Sequence, residues 1–226
     1  IEVILGVKMS KKSLVLHLFA HHTYLTNSKN TDNEKYNSLF SDITLTYLPL
    51  LNMFANLEAD GIPFKISMTF SPSLCSMLSD PIMQQSYIEW LDKLIALGES
   101  EVKRNVFNKN TKELAENYLQ QLIYAKRDFT ETLNQDILSK IDYYAKRGNI
   151  ELVATTATNC FLPHYIDLPE VINAQIEIGL QSHKKYFNTL SKFPNLIEGT
   201  MLLVNDWENK EKGKESNDDP YVAATC

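Results

Sequence analysis

Short apolar runs separated by long stretches of helical periodicity limit what this chain can fold into. Ser13–Ala20 is almost continuously apolar, without polar alternation, as expected of a parallel strand covered on both faces. Phe64–Phe70 places Ile66, Met68 and Phe70 on one side of an extended chain. Ile150–Thr156 reads as a third strand and Asn195–Val204 as a fourth. Strands joined by long helices imply parallel βα units, and right-handed crossovers make these a barrel-like or doubly wound sheet.

The helical stretches carry their own start and stop signals. From Ser41 the pattern turns helical, with Leu50, Met53, Phe54 and Leu57 at i, i+3, i+4 and i+7. Pro49 interrupts this stretch and predicts a kink or two abutting helices. Asp60-Gly61-Ile62-Pro63 stops it. Ser71-Pro72 and Asp80-Pro81 each pair an N-cap residue with proline at the first helical position; the second opens a helix to about Leu97. Asn110–Glu113 has capping-box spacing. The helical region it begins places Leu119, Leu122 and Ile123 on one face and is followed by another through Ile137, Ile141 and Tyr144. Arg147-Gly148-Asn149 ends that region, and Pro169–Leu190 reads as a long amphipathic helix. The helical block of about 72–147 is too large for a minimal βα connection.

Composition narrows the functional classes. A formal charge of −6 over 226 residues gives no electrostatic reason to expect nucleic acid or an anionic membrane as partner. Three scattered cysteines, Cys75, Cys160 and Cys226, form no zinc or CxxC spacing, so the chain reads as a reduced, cytoplasmic protein without metal or cofactor. Met9-Ser-Lys-Lys before Leu14–Ala20 resembles a signal peptide, but the apolar part is short and ends in His-His. The expected organisation is an extension over 1–12, one domain over 13–204, and a polar, disordered tail over 205–226.

In parallel barrels chemistry sits at the C-terminal ends of strands. That rule selects His21 and His22, Ser71, Thr158–Cys160 and Glu198. Each histidine reads equally as a loop residue or a core imidazole bonded to a carbonyl. Adjacent residues of an extended chain point to opposite faces, so only one of His21 and His22 can line a pocket. His17, inside the strand, reads as structural.

Four segments carry a resemblance to a known family. They are Leu14–Tyr24; Thr46–Leu51 with Asp60–Leu74 and Met77–Pro81; Gly148–Pro163; and the helix from Pro169 through Gln175 to Gly179. Together they resemble the N-terminal part of glycoside hydrolase family 57, in particular its 1,4-α-glucan branching enzymes. The departures are specific. Phe19 stands at the first histidine of the opening motif, while His21 keeps the second and Thr23 replaces the proline. Asn159 and Cys160 replace the histidine and glycine of the third-strand motif. Asn195 and Met201 replace the aromatics around Glu198.

The resemblance implies an α/β fold, an incomplete (β/α)7-type barrel with parallel strands and a helical insertion. It implies an α-1,4-glucan as substrate, Glu198 as the catalytic nucleophile, and His21, Asn159 and Tyr24 as substrate-binding residues. Retaining cleavage needs two carboxyl groups about 5–5.5 Å apart, and the family's acid/base aspartate has no counterpart here. Asp206 and Glu208 follow Glu198 too closely to face it. The expectation is therefore a chain with little activity alone, completed by a second polypeptide or surviving as a glucan-binding relic. A metal-dependent polysaccharide deacetylase is the alternative on a similar barrel, disfavoured by the lack of an Asp/His/His set.

Overall fold

A computed structural model describes residues 16–25 and 36–187. Within them three strands form one parallel sheet in the order β1-β2-β3: β1 is His17–Ala20, β2 Ile66–Phe70 and β3 Ile150–Leu152. Ala20 lies opposite Phe70, and Met68 opposite Leu152. The expected fourth strand, Asn195–Val204, the nucleophile candidate Glu198 and the tail lie outside the described residues.

Period-2 alternation divides the sheet into unlike faces. Leu18, Ala20, Ile66, Met68, Phe70, Ile150 and Leu152 belong to or pack on the hydrophobic core. The opposite face carries His17, Phe19, Ser67, Thr69 and Glu151. This corrects the expectation that the first strand is covered on both sides. Among the described residues β1 is an edge strand, and Phe19 is 44% exposed. The near-continuous apolar run Ser13–Ala20 implies two-sided burial, yet on one side of β1 His17 bonds Ser67 and Thr69 of β2.

Helices cover the apolar face. α1 (Asn37–Asp42), a π-helical turn (Ile43–Tyr47) and α2 (Leu48–Ala59) form one continuous rod. Proline cannot donate the backbone hydrogen bond that a regular helix requires. The π-helical turn ends just before Pro49, so the interruption is a widened turn rather than a break. The buried stripe is Leu48, Leu51 and Phe54, while Met53 is 46% exposed, so the expected stripe is rotated. Phe54 stacks on Phe64 with ring centres 4.9 Å apart, and Tyr144 meets both edge-on. Gly61 closes the rod at φ +67°, where a Cβ would be strained.

Between β2 and β3 lie α3 (Pro72–Leu78), α4 (Pro81–Arg104), α5 (Lys109–Arg127) and α6 (Ile137–Lys146). Ser71 caps α3 by accepting from Leu74 N, and Asp80 caps α4 by accepting from Ile82 N, as the Ser-Pro and Asp-Pro pairs imply. α4 runs beyond Leu97 to Arg104, and α5 is capped by Asn108 rather than Asn110. α4 and α5 pack as an antiparallel pair. After β3, a short 3₁₀ turn (Leu162–Tyr165) leads into α7 (Pro169–Tyr186).

Candidate site at the strand ends

Parallel strands bring their C-terminal ends to one edge of the sheet. The register makes that edge level: Ser71 N donates to Ala20 O and Val153 N to Met68 O. The residues emerging there are His21–Leu25 after β1, Ser71–Ser73 after β2 and Val153–Cys160 after β3. Strand spacing puts the ends of β1 and β3 roughly 10 Å apart across β2. None of these residues is acidic.

Among the described residues four buried polar atoms here have no hydrogen-bond partner: His21 Nδ1, Thr155 Oγ1, Thr156 Oγ1 and Asn159 Oδ1. Thr155 and Thr156 are themselves buried, at 4% and 1% exposure. A buried polar atom left unpaired costs about 1–3 kcal/mol, and folded proteins keep few of them. Such atoms at one sheet edge suit a ligand rich in hydroxyl groups, which both donate and accept.

The imidazoles separate as extended geometry requires. His22 Nδ1 donates to Thr23 O at 2.8 Å, and its Nε2 lies 3.4 Å from Ser38 Oγ. His21 turns the other way, its ring centre 6.2 Å from that of Phe19 on the same side of β1. Loss of hydration, then the neighbouring His22, holds His21 below the ordinary histidine range, so it is neutral at pH 7 and can donate or accept one hydrogen bond. His17 belongs to the same face: its Nδ1 is 2.9 Å from Ser67 Oγ and its Nε2 3.2 Å from Thr69 Oγ1. This fits the structural role expected of it.

The loop after β3 is held from behind by α7. Ala157 N donates to Gln175 O at 2.9 Å, and Thr158 N and Oγ1 both donate to Gln175 Oε1 at 3.0 and 3.2 Å. One turn on, Gly179 lies so close to the loop that a Cβ there would stand 2.1 Å from the Thr155 carbonyl oxygen. Asn159 takes φ +55°, a conformation asparagine tolerates better than most residues.

Of the sequence-selected residues, His21, Ser71 and Asn159 share this edge. Tyr24 is 58% exposed and makes no side-chain hydrogen bond among the described residues. Cys160 is a free, half-buried thiol. Thr155 and Thr156 escaped sequence reasoning because the strand was drawn through Thr156; it ends at Leu152, and both threonines belong to the loop. The signal was the crowding of threonines in Ala154–Asn159. Among the described residues no group of three or more His, Cys, Asp or Glu is arranged to hold a metal ion.

The family model for glycosyl hydrolase family 57 matches residues 16–206. The 1,4-alpha-glucan branching enzyme TK1436 of Thermococcus kodakarensis is 27% identical over 170 residues, covering 75% of this chain and 24% of the relative. The crystal structure of the alpha-amylase AmyC from Thermotoga maritima superposes with a TM-score of 0.77 at 30% identity, over 85% of this chain and 37% of that one. The crystal structure of TK1436, a branching enzyme determined with glucose, gives 0.68 at 25% identity, over 80% and 32%. The chain thus spans well under half the length of each of these proteins. With the parallel sheet and its polar edge in the places the motifs imply, the chain belongs to glycosyl hydrolase family 57.

Proposed function

We propose that this chain binds an α-1,4-glucan across the C-terminal ends of β1 and β3, on part of a (β/α)7-type barrel. The observation that carries this reading is the set of unpartnered buried atoms on His21, Thr155, Thr156 and Asn159. A sugar hydroxyl meeting any of them replaces a missing hydrogen bond. Neutral His21 and the amide of Asn159 position the sugar beside the bond to be cleaved, and exposed Tyr24 offers a ring face at the rim. Asn159, standing where the family has histidine, hydrogen-bonds but carries no proton.

By its place in the family motif, Glu198 is the nucleophile of a retaining glycosyl transfer, as in branching enzymes. That reaction also requires a carboxylic acid to protonate the leaving oxygen. Residues 21–25, 71–73 and 153–160 supply none. The described strand ends therefore hold glucan without supplying that acid, which has to come from elsewhere, a second polypeptide being one source. Without the acid the described edge acts as a glucan-binding surface.

The test is electrophoresis of the purified chain through gels containing amylose, with reducing-end and iodine-stain assays in parallel. Retardation without new reducing ends is expected. His21→Ala and Asn159→Ala each weaken retention by about tenfold, the equivalent of one hydrogen bond of about 1.4 kcal/mol. Retention unchanged in both variants would refute the site. Turnover that survives Glu198→Gln would remove Glu198 as nucleophile.

A further inference from the structure

One cleft of the described residues lies away from the strand ends, and the strand-end chemistry does not use it. It is a groove of about 940 Å³ between the α1–α2 rod and the α4–α5 pair. α2 turns Leu51 and Phe54 inward to the core and presents Asn52, Met53 and Asn56 outward to the groove. Leu94 and Leu122 contribute apolar floor from the opposite wall.

The composition of its walls selects a ligand class. Among the described residues the charged groups lining the groove are Asp60 and Asp128, with no lysine, arginine or histidine in the lining. The neighbouring cation, Arg127, is already engaged, 3.8 Å from Asp128 Oδ1 and 5.0 Å over the Tyr124 ring. An anionic ligand such as a nucleotide or a sugar phosphate would therefore meet Asp60 with no lysine, arginine or histidine among the described lining residues to receive it. Amides face each other across it, Asn52 and Asn56 from α2 and Gln121 from α5. Among the described residues Asn56 and Gln121 make no side-chain hydrogen bond, whereas Asn52 Nδ2 donates to Asp128 Oδ2 at 2.7 Å and ties the two walls together. Aromatic rings complete the lining. Trp90 is fixed by its Nε1–H bond of 2.8 Å to Asn37 Oδ1, and Tyr118 and Tyr124 are 60% and 48% exposed. An apolar floor with ring faces and a few convergent neutral polar groups is the recognised form of a small-ligand site. Here it matches the alternating C–H faces and hydroxyl edges of a neutral sugar chain.

We propose that this groove is a second α-glucan-binding site, separate from the strand ends. Its preference for a neutral, hydroxyl-rich chain rests on the groove alone; the choice of an α-glucan rests on the functional reading above. A polymeric glucan held at two points gains avidity without new contacts at either.

The experiment reads Trp90 directly. The full chain carries Trp207→Phe, so that tryptophan emission belongs to Trp90, and is titrated with maltoheptaose. A saturable change is expected, at least tenfold weaker in Tyr118→Ala and in Gln121→Ala, unchanged in His21→Ala, and absent with cello-oligosaccharides of equal length. Tyr118 and Gln121 are exposed, so both variants fold, which circular dichroism checks. Silent Trp90 emission overturns the inference. So does a response to the apolar dye ANS alone, which would mark the groove as a protein-docking surface. A response abolished by His21→Ala and kept in the groove variants overturns the groove while leaving the strand-end reading intact. An equal response to cello-oligosaccharides overturns the α-glucan assignment.

Discussion

Gly179→Ala separates two physical effects of opposite sign. In an exposed helix interior, alanine in place of glycine stabilises by about 0.8–1 kcal/mol through helix propensity. At position 179 the new Cβ would stand 2.1 Å from Thr155 O, 3.1 Å from Thr155 C and 3.2 Å from Thr156 C. Backbone atoms cannot swing away as a side-chain tip can. Restoring ordinary contact, about 3.5 Å or more between carbons, requires α7 and the loop to part by roughly 1 Å. That displacement stretches Ala157 N–Gln175 O from 2.9 Å and Thr158 N–Gln175 Oε1 from 3.0 Å beyond the hydrogen-bonding range. Two lost bonds at about 1 kcal/mol each and overpacking of about 1–3 kcal/mol outweigh the propensity gain. The expected net loss is about 2–4 kcal/mol, measured as a lower urea midpoint at unchanged slope. Amylose retention should fall as well, because the moved loop carries Thr155, Thr156 and Asn159. Gly98→Ala in α4 is the control: its Cβ meets the side chain of Leu119 at 3.2 Å, a flexible neighbour. If Gly179→Ala equals or exceeds the wild type in stability, propensity alone governs and the close approach of α7 is wrong.

Further outcomes follow from individual contacts. Ser71→Ala removes the cap of α3, where Ser71 Oγ accepts from Leu74 N at 3.3 Å, and should cost about 1 kcal/mol in chemical denaturation. Tyr87 is fully buried and its hydroxyl lies 2.8 Å from Thr44 Oγ1, which itself donates to Phe40 O. Tyr87→Phe leaves that threonine oxygen one donor short and should cost about 1–2 kcal/mol, whereas no change would mean the bond contributes nothing net. Glu58 accepts from Tyr143 Oη at 2.6 Å and from Tyr144 Oη at 3.3 Å, and pairs with Arg147 at 3.4 Å. The Tyr143 bond, then Arg147 acting against the loss of hydration, holds the Glu58 carboxyl below its ordinary value. A lowered carboxyl contributes stability that is complete above the unfolded value near 4.5 and is lost as pH falls through the folded one. The stability difference between wild type and Tyr143→Phe should therefore shrink from pH 6 to pH 3. A difference constant with pH contradicts this assignment.

Local chemistry made much of the fold legible. Ser71-Pro72 and Asp80-Pro81 start helices because a side-chain oxygen caps orphan N–H groups and proline lacks the N–H that a first turn would leave unpaired. Gly61 and Gly148 end helices because each takes φ above +60°. Alternation in Ile66–Phe70 named the core side of β2 correctly. The place of His21 and Asn159 just beyond strand ends was legible from motif position and from where β1 and β3 run.

Other features needed the third dimension. Whether a run of apolar residues is covered once or twice depends on what packs over each face, and Leu14–Ala20 does not encode that. Thr155 and Thr156 joined the candidate site only when β3 ended at Leu152. Strand length depends on how far a partner offers hydrogen bonds, which no single segment specifies. Gly179 in sequence is a weak point in a helix; in space it is where a helix meets a loop carbonyl. The groove joins Asn56 to Gln121 across long sequence separation because Asn37 and Thr44 of the rod bond Trp90 and Tyr87 of α4 and Asn52 bonds Asp128. Periodicity and capping act between near neighbours along the chain and so can be read from it. Burial, close approach and the convergence of polar groups act between segments, and only their packing decides them.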